Sequence, residues 1–247
     1  MLSAPKLLIA VVVACIVGCG GDDGSAGADG GASGDDTGGS CASAPAPATG
    51  QATYYDADGS GNCSFDPIPG DLLVGAMNEA DYGQNATYCG ACVAIDGPNG
   101  SVTVRIVDRC PGCAKGDIDL SQTAFKMIAP LSAGRVDITW HEVPCPVTGD
   151  VSYEWKDGAS QYYFSLQVRN HRYRLAKLEA SNDGGATFST IDRLQYNYFV
   201  KSGGMGPGPY TIRTTDTRGH VITDDNIAVG NAVSRAGSAQ FPVCSGD

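Results

Sequence analysis

Short apolar runs alternating with polar positions dominate the chain from residue 41 onward. Stretches rich in Val, Ile, Thr and Tyr recur at residues 101–107, 136–140, 162–168, 173–180 and 210–215. Turn signals separate them: Asp96-Gly97-Pro98-Asn99-Gly100, Asn182-Asp183-Gly184-Gly185 and the Gly/Pro-rich segment 203–209. Runs of this kind predict strands joined by tight connections, hence an all-β barrel or sandwich. Only residues 120–128 predict a helix, with Ser121 or Asp119 available as its cap. Within 162–168, alternation sends Phe164, Leu166 and Val168 to a core and predicts Tyr163, Ser165, Gln167 and Arg169 outward. The stretch Pro144-Cys145-Pro146-Val147-Thr148-Gly149 interrupts the pattern and predicts a boundary between domains 41–147 and 148–247. Each is about 100 residues, a common domain size.

Before residue 41 the pattern is of another kind. Lys6 precedes an apolar run over residues 7–17, too short to span a bilayer and suited to a secretory h-region. It closes on Ile16-Val17-Gly18-Cys19, which predicts a lipoprotein signal peptide over 1–19 with Cys19 lipidated. The chain is then exported and lipid-anchored to the cell envelope facing outward, or secreted. Residues 20–40 contain only Gly, Asp, Ser, Ala and Thr, too little apolar surface to repay ordering. They predict a disordered tether reaching about 25 Å on average.

Charge narrows the partners. The whole chain carries −11, and without Lys6 and the five aspartates of 20–40 the remainder carries −7. An acidic fold excludes nucleic acid as a partner and disfavours anionic polymers, leaving neutral polysaccharide. Beyond Cys15 and Cys19, eight cysteines remain: Cys41, Cys63, Cys89, Cys92, Cys110, Cys113, Cys145 and Cys244. The spacing of Cys89-Gly-Ala-Cys92 and Cys110-Pro-Gly-Cys113 is that of a zinc ribbon. Export and the four further cysteines favour four disulfides and no metal, with 105 pairings open.

Two carboxylates stand where chemistry is common. Asp108 follows the apolar run 102–107, and Asp119 lies just ahead of the predicted helix. Such positions suit proton transfer or hydrogen bonding to sugar hydroxyls, and equally suit ordinary turns and caps. Tyr162 and Tyr163 open a strand whose outer face could stack on glucose rings.

Several separate motifs then resemble one family in order along the chain. They are Ala52-Thr53-Tyr54, Asp66-Pro67-Ile68-Pro69, Ile106-Val107-Asp108, Asp119-Leu120-Ser121, Gln167-Val168-Arg169-Asn170-His171, Tyr196-Asn197-Tyr198-Phe199-Val200 and Thr215-Asp216-Thr217-Arg218-Gly219. From Gly50 through Pro242 the chain resembles a bacterial expansin. That resemblance implies a six-stranded double-psi β-barrel followed by an immunoglobulin-like β-sandwich that binds carbohydrate. It implies that Thr53, Asp108 and Asp119 line the barrel groove, Asp119 being the aspartate needed for wall loosening. It places Tyr162, Tyr163 and Tyr196 on an aromatic platform, with Lys156 as an additional binding residue. It implies disulfides Cys63–Cys89 and Cys92–Cys145, which leaves Cys110–Cys113 as a tight local loop and Cys41–Cys244 clasping the two ends. Three departures stand out: Tyr162-Tyr163 where close relatives carry two tryptophans, Cys110 in place of a groove tyrosine, and an acidic charge where several bacterial relatives are basic.

The function implied is non-hydrolytic loosening of a polysaccharide by a monomer that needs no cofactor. The glycan would be cellulose, a xyloglucan-type glucan or peptidoglycan, and the membrane would be met only through the lipid. Three alternatives remain. One is an inverting endoglucanase-like hydrolase in which Asp119 is the acid and Asp56 or Asp58 the base. A lytic transglycosylase-like activity and a plain glycan-binding adhesin are the others.

Overall fold

The computed structural model describes residues 41–70 and 72–247. The predicted signal peptide, Cys19 and the tether lie outside the described residues.

Six strands close a barrel: β1 (Ala48–Tyr55), β2 (Val74–Asn78), β3 (Cys92–Gly97), β4 (Gly100–Cys110), β5 (Ile118–Ser121) and β6 (Val136–Val143), in the order β1-β5-β2-β4-β3-β6. The pairs β1–β5 and β2–β4 are parallel and the rest antiparallel. Every residue of β2 is buried, so this strand shows no alternation to read. Its neighbour, the single-turn helix α1 (Glu79–Tyr82), is likewise silent in the periodicity. Helix α2 (Gln122–Ile128) buries Ala124, Phe125 and Ile128 against the barrel, and Tyr54 packs on Phe125. Its cap is Ser121, whose hydroxyl accepts from the Ala124 amide, while Asp119 belongs to β5. Two glycines permit a close crossing in the barrel wall. A side chain on Gly50 would strike the Gly116 backbone, and Gly116, at φ +88°, faces the Thr49 carbonyl in the same way.

Eight further strands follow: β7 (Ser152–Trp155), β8 (Phe164–Arg169), β9 (Leu175–Ser181), β10 (Ser189–Arg193), β11 (Phe199–Lys201), β12 (Tyr210–Asp216), β13 (Val221–Ile227) and β14 (Val233–Ala236). Their order is β13-β12-β9-β10-β11-β8-β7-β14. Strand β10 changes layer along its length, pairing with β9 through Ser189–Ile191 and with β11 through Asp192 and Arg193. The two halves thereby fold over one core in which Phe164 packs edge to face on both Trp155 and Tyr210. Four disulfides tie the described residues: Cys41–Cys244, Cys63–Cys89, Cys92–Cys145 and Cys110–Cys113.

The outward reading of β8 needs correction. Ser165 and Gln167 are fully buried, and at Gln167 and Arg169 the outer face of β8 is covered by the barrel's 63–66 loop. Gln167 Nε2 donates to the Cys63 carbonyl at 2.8 Å, Asn197 Nδ2 reaches the same oxygen, and Arg169 pairs with Asp66 at 2.5 Å. On the other side of the seam, Arg174 stacks on Tyr88 and its Nε bonds the buried Glu142 at 2.7 Å. The Gln167-Val168-Arg169-Asn170-His171 motif is thus a barrel-docking segment.

His171 completes the seam. Its Nδ1 faces the Tyr173 carbonyl at 2.7 Å, and Gly90, at φ +78°, lies so close that any side chain there would collide with the ring. Burial lowers the His171 pKa to about 4, with Arg193 and Arg105 adding to the shift and the Tyr173 carbonyl opposing it. The unfolded chain therefore binds the proton more readily. Stability present above pH 6.5 is lost as pH falls towards 4, by about 3 kcal/mol in total. Urea unfolding at pH 7 and pH 4.5 checks this: His171→Gln is expected to flatten that part of the profile.

Candidate functional site

Strand register assembles the groove. Thr53 on β1 is paired with Asp119 on β5, Asp119 with Ala76 on β2, and Ala76 with Asp108 on β4. Asp108 lies inside β4, where a register shift opposite Gly75 and Ala76 skips Val107. Directly paired residues share a face, so Thr53, Asp119, Ala76 and Asp108 form one row across four strands. Two strand spacings put the Asp119 and Asp108 backbones about 10 Å apart, with only a methyl group between them.

Each carboxylate is held differently. Asp119 Oδ1 accepts from the Thr53 hydroxyl at 2.6 Å. Its pKa is raised by burial first and by Asp108 as well, while the Thr53 hydrogen bond and Arg135 pull it down. Asp108 Oδ1 accepts the backbone N–H groups of Asn62 and Arg109 at 2.6 and 2.8 Å, which leaves Oδ2 for other partners. The 61–62 turn clasps it so tightly that a Cβ on Gly61 would overlap the Asp108 side chain and lie 2.7 Å from the Val107 carbonyl. Gly61→Ala is accordingly expected to displace Asp108 and reduce function while sparing the barrel core. The chemical shift of the Asp108 carboxyl carbon, measured beside thermal stability, checks this.

Tyr55 was not foreseen as a site residue. Its hydroxyl is buried without a hydrogen-bond partner, and its pKa is pushed up by burial, then by Asp108, Asp119 and Asp58. It stays a neutral O–H donor amid three carboxylates. The two-residue step from Thr53 to Tyr55 along β1 was the available signal. Asp58, by contrast, is spent on a turn: its Oδ1 accepts the Ser60 amide and hydroxyl, and these bonds hold its carboxyl below the usual range. Asp56 is exposed on the same stretch.

The tyrosines adjoin this row. Asn62 Nδ2 donates to the Gln195 carbonyl at 2.7 Å and to the Tyr82 hydroxyl, which itself donates to Gln195 O at 2.6 Å. Tyr196 follows directly, its phenol raised by burial and by the neighbouring Tyr163 hydroxyl. Tyr196 lies 5.9 Å from the Tyr198 ring, and Lys156 Nζ lies 5.8 Å from the Tyr198 centroid. The structure therefore gathers Tyr163, Tyr196 and Lys156 around Tyr198, which is buried and backs Tyr196 from beneath. Tyr162 is 74% exposed and lines a shallow depression with Pro207, Gly208 and Asn231.

Curated relatives place this arrangement. The chain is 36% identical to Expansin-YoaJ of Bacillus subtilis over 202 residues, spanning 78% of this chain and 86% of that one. It is 30% identical to Expansin-like protein 1 of Dictyostelium discoideum over 204 residues, 78% and 71% of the two chains. The chain belongs to the expansin family. A family model described as lytic transglycolase matches residues 76–140, the part of this expansin running from β2 into β6. The crystal structure of apo Clavibacter michiganensis expansin superposes with a TM-score of 0.73 at 28% identity, covering 80% of this chain and all of that one. A point mutant of the same Clavibacter expansin, solved in complex with cellohexaose, matches equally well. Among the described residues of this expansin, Cys41, His220 and Cys244 cluster beside the second sheet, away from the groove, with the two cysteines joined as a disulfide.

Proposed function

We propose that this expansin binds cellulose and loosens wall glycan without cutting it. The carrying observation is the continuity of two surfaces: the Thr53–Asp119–Asp108 row and the Tyr163–Tyr196 face meet through the Asn62–Gln195 hydrogen bond. Stacked sugar rings would rest on the tyrosines. Asp119, oriented by Thr53, would accept hydrogen bonds from hydroxyls of a neighbouring chain and compete with inter-chain bonding. The Clavibacter complex with cellohexaose supports a β-glucan as the ligand class. The unit 41–147 serves as the loosening barrel and 148–247 as the binding sandwich. Export with a lipid on Cys19 would hold a monomer at the envelope. This reading needs no hydrolytic base; Asp58 Oδ1 holds the Ser60 turn.

The test is a paired assay: weakening of cellulose paper under load, and reducing-sugar release from amorphous cellulose. Weakening without sugar is expected, whereas sugar release that depends on Asp119 would make the protein a hydrolase. Tyr163→Ala and Tyr196→Ala are each expected to weaken cellulose binding about two- to tenfold, the worth of one aromatic stacking contact. Unchanged binding in both would remove the tyrosine face from the mechanism.

A further inference from the structure

The turn between β12 and β13 builds an imidazole site that the wall-loosening groove does not use. Asp216 ends β12 with its side chain fully buried. Its Oδ1 accepts the backbone N–H groups of Arg218 and His220 at 2.9 and 2.8 Å. Its Oδ2 accepts from His220 Nδ1 at 2.8 Å. The proton of the neutral ring is thereby fixed on Nδ1, and the Nε2 lone pair points elsewhere. It points at the Cys41–Cys244 disulfide, 3.3 Å from Cys41 Sγ and 3.9 Å from Cys244 Sγ. A disulfide sulfur has no proton to give, so this acceptor faces two atoms that cannot donate to it.

Contacts other than the S–S bond hold the two cysteines at the ring. The Ala42 amide donates to the Arg218 carbonyl, and Arg218 Nη1 donates to the Ala42 carbonyl, both at 2.9 Å. On the other side, the Cys244 amide donates to the Tyr173 hydroxyl at 2.9 Å. Breaking the disulfide would leave both sulfurs close to Nε2. A tetrahedral zinc ion with Zn–S near 2.3 Å and Zn–N near 2.0 Å needs sulfur–nitrogen separations of about 3.5 Å and a sulfur–sulfur separation of about 3.8 Å. The present sulfur–nitrogen distances bracket the first value, so only the two sulfurs would have to part. Asp216 is the carboxylate that histidine ligands of zinc ordinarily carry behind them.

We propose that, once a dithiol reduces the clasp, Cys41, Cys244 and His220 bind one Zn2+, so that the clasp is closed by either a disulfide or a metal ion. The exchange balances. The dithiol is oxidised to its cyclic disulfide while Cys41 and Cys244 become thiols, and Zn2+ then displaces both thiol protons to solvent. Water takes the fourth position. Selective opening is favoured by access: Cys41 is partly exposed, whereas Cys63, Cys89, Cys92 and Cys145 are buried.

The experiment uses the full exported chain carrying Cys110→Ser and Cys113→Ser, which removes the accessible Cys-Pro-Gly-Cys pair. After treatment with dithiothreitol and its removal, alkylation and mass spectrometry identify the free thiols. Co2+ is then titrated anaerobically and displaced with Zn2+. The expected result is one equivalent of Co2+ with thiolate charge-transfer absorption, lost on adding one equivalent of Zn2+ and absent from the oxidised protein. Cys41→Ser with Cys244→Ser should abolish it, and Asp216→Asn should weaken Co2+ binding about 10- to 100-fold. His220→Ala keeps the oxidised clasp, so its fold is verified before reduction, and it too should lose the tetrahedral spectrum. No charge-transfer band in protein whose Cys41 and Cys244 are shown to be free thiols would overturn the proposal. So would a band that survives their replacement by serine.

Discussion

Asp119→Asn will abolish wall loosening and leave binding to cellulose intact. The substitution keeps the shape of the side chain and removes the charged acceptor that Thr53 orients. Hydrogen bonds to a charged group contribute about 1.5–3 kcal/mol, so a loss of at least about tenfold in extension rate is expected. Burial raises the Asp119 pKa, so the folded state favours its protonated form. The stability it contributes is therefore greatest below the unfolded pKa and is lost as pH rises through the folded one. A neutral amide escapes that cost, and the variant should unfold at neutral pH no more easily than the parent. Inactivity in a protein of undiminished stability then separates loss of mechanism from loss of fold. The same shift sets the acid limb of activity above that of an exposed aspartate. Thr53→Val, which removes the bond favouring the ionised form, should move that limb to higher pH. A variant that still extends paper at the parental rate would take Asp119 out of the mechanism.

Arg174→Met will cause the largest loss of stability among single changes at the seam. Arg174 is the partner of Glu142, whose side chain is 1% exposed and whose second oxygen has no partner. Removing one member of a buried ion pair strands the other charge, at a cost of about 3–5 kcal/mol. In a chain of this size that lowers the melting temperature by roughly 10 °C. Because the penalty comes from the stranded carboxylate, adding Glu142→Leu should recover much of it. Calorimetry of both variants checks this, and a double variant no more stable than the single one would place the cost in lost Tyr88 stacking instead.

Strands with one wet face were legible because their periodicity reports burial: β4 and β6 alternate and lie on the predicted runs, whereas β9 and β12 lie on predicted runs without strict alternation. Strand β2 was not, since both its faces are covered, and β8 was legible only in part. Alternation correctly put Phe164, Leu166 and Val168 in the core, but it could not show that a second domain covers the other face.

The candidate site divides along the same line. Sequence alone determined the residue types available for it: two carboxylates beside apolar runs, paired tyrosines at a strand start, an acidic balance suited to neutral glycan, and an even set of cysteines from Cys41 onward. It left open which of them meet. Asp108 and Asp119 share one face because β4 and β5 flank β2 in the barrel, with Ala76 between them. Tyr55 became a site residue through neighbours distant in the chain, while Asp58 was drawn into a local turn with Ser60. The physical reason is range. Periodicity and turn chemistry act over a few residues and specify strands and their faces, whereas strand order, register and domain docking depend on contacts between segments tens to more than a hundred residues apart.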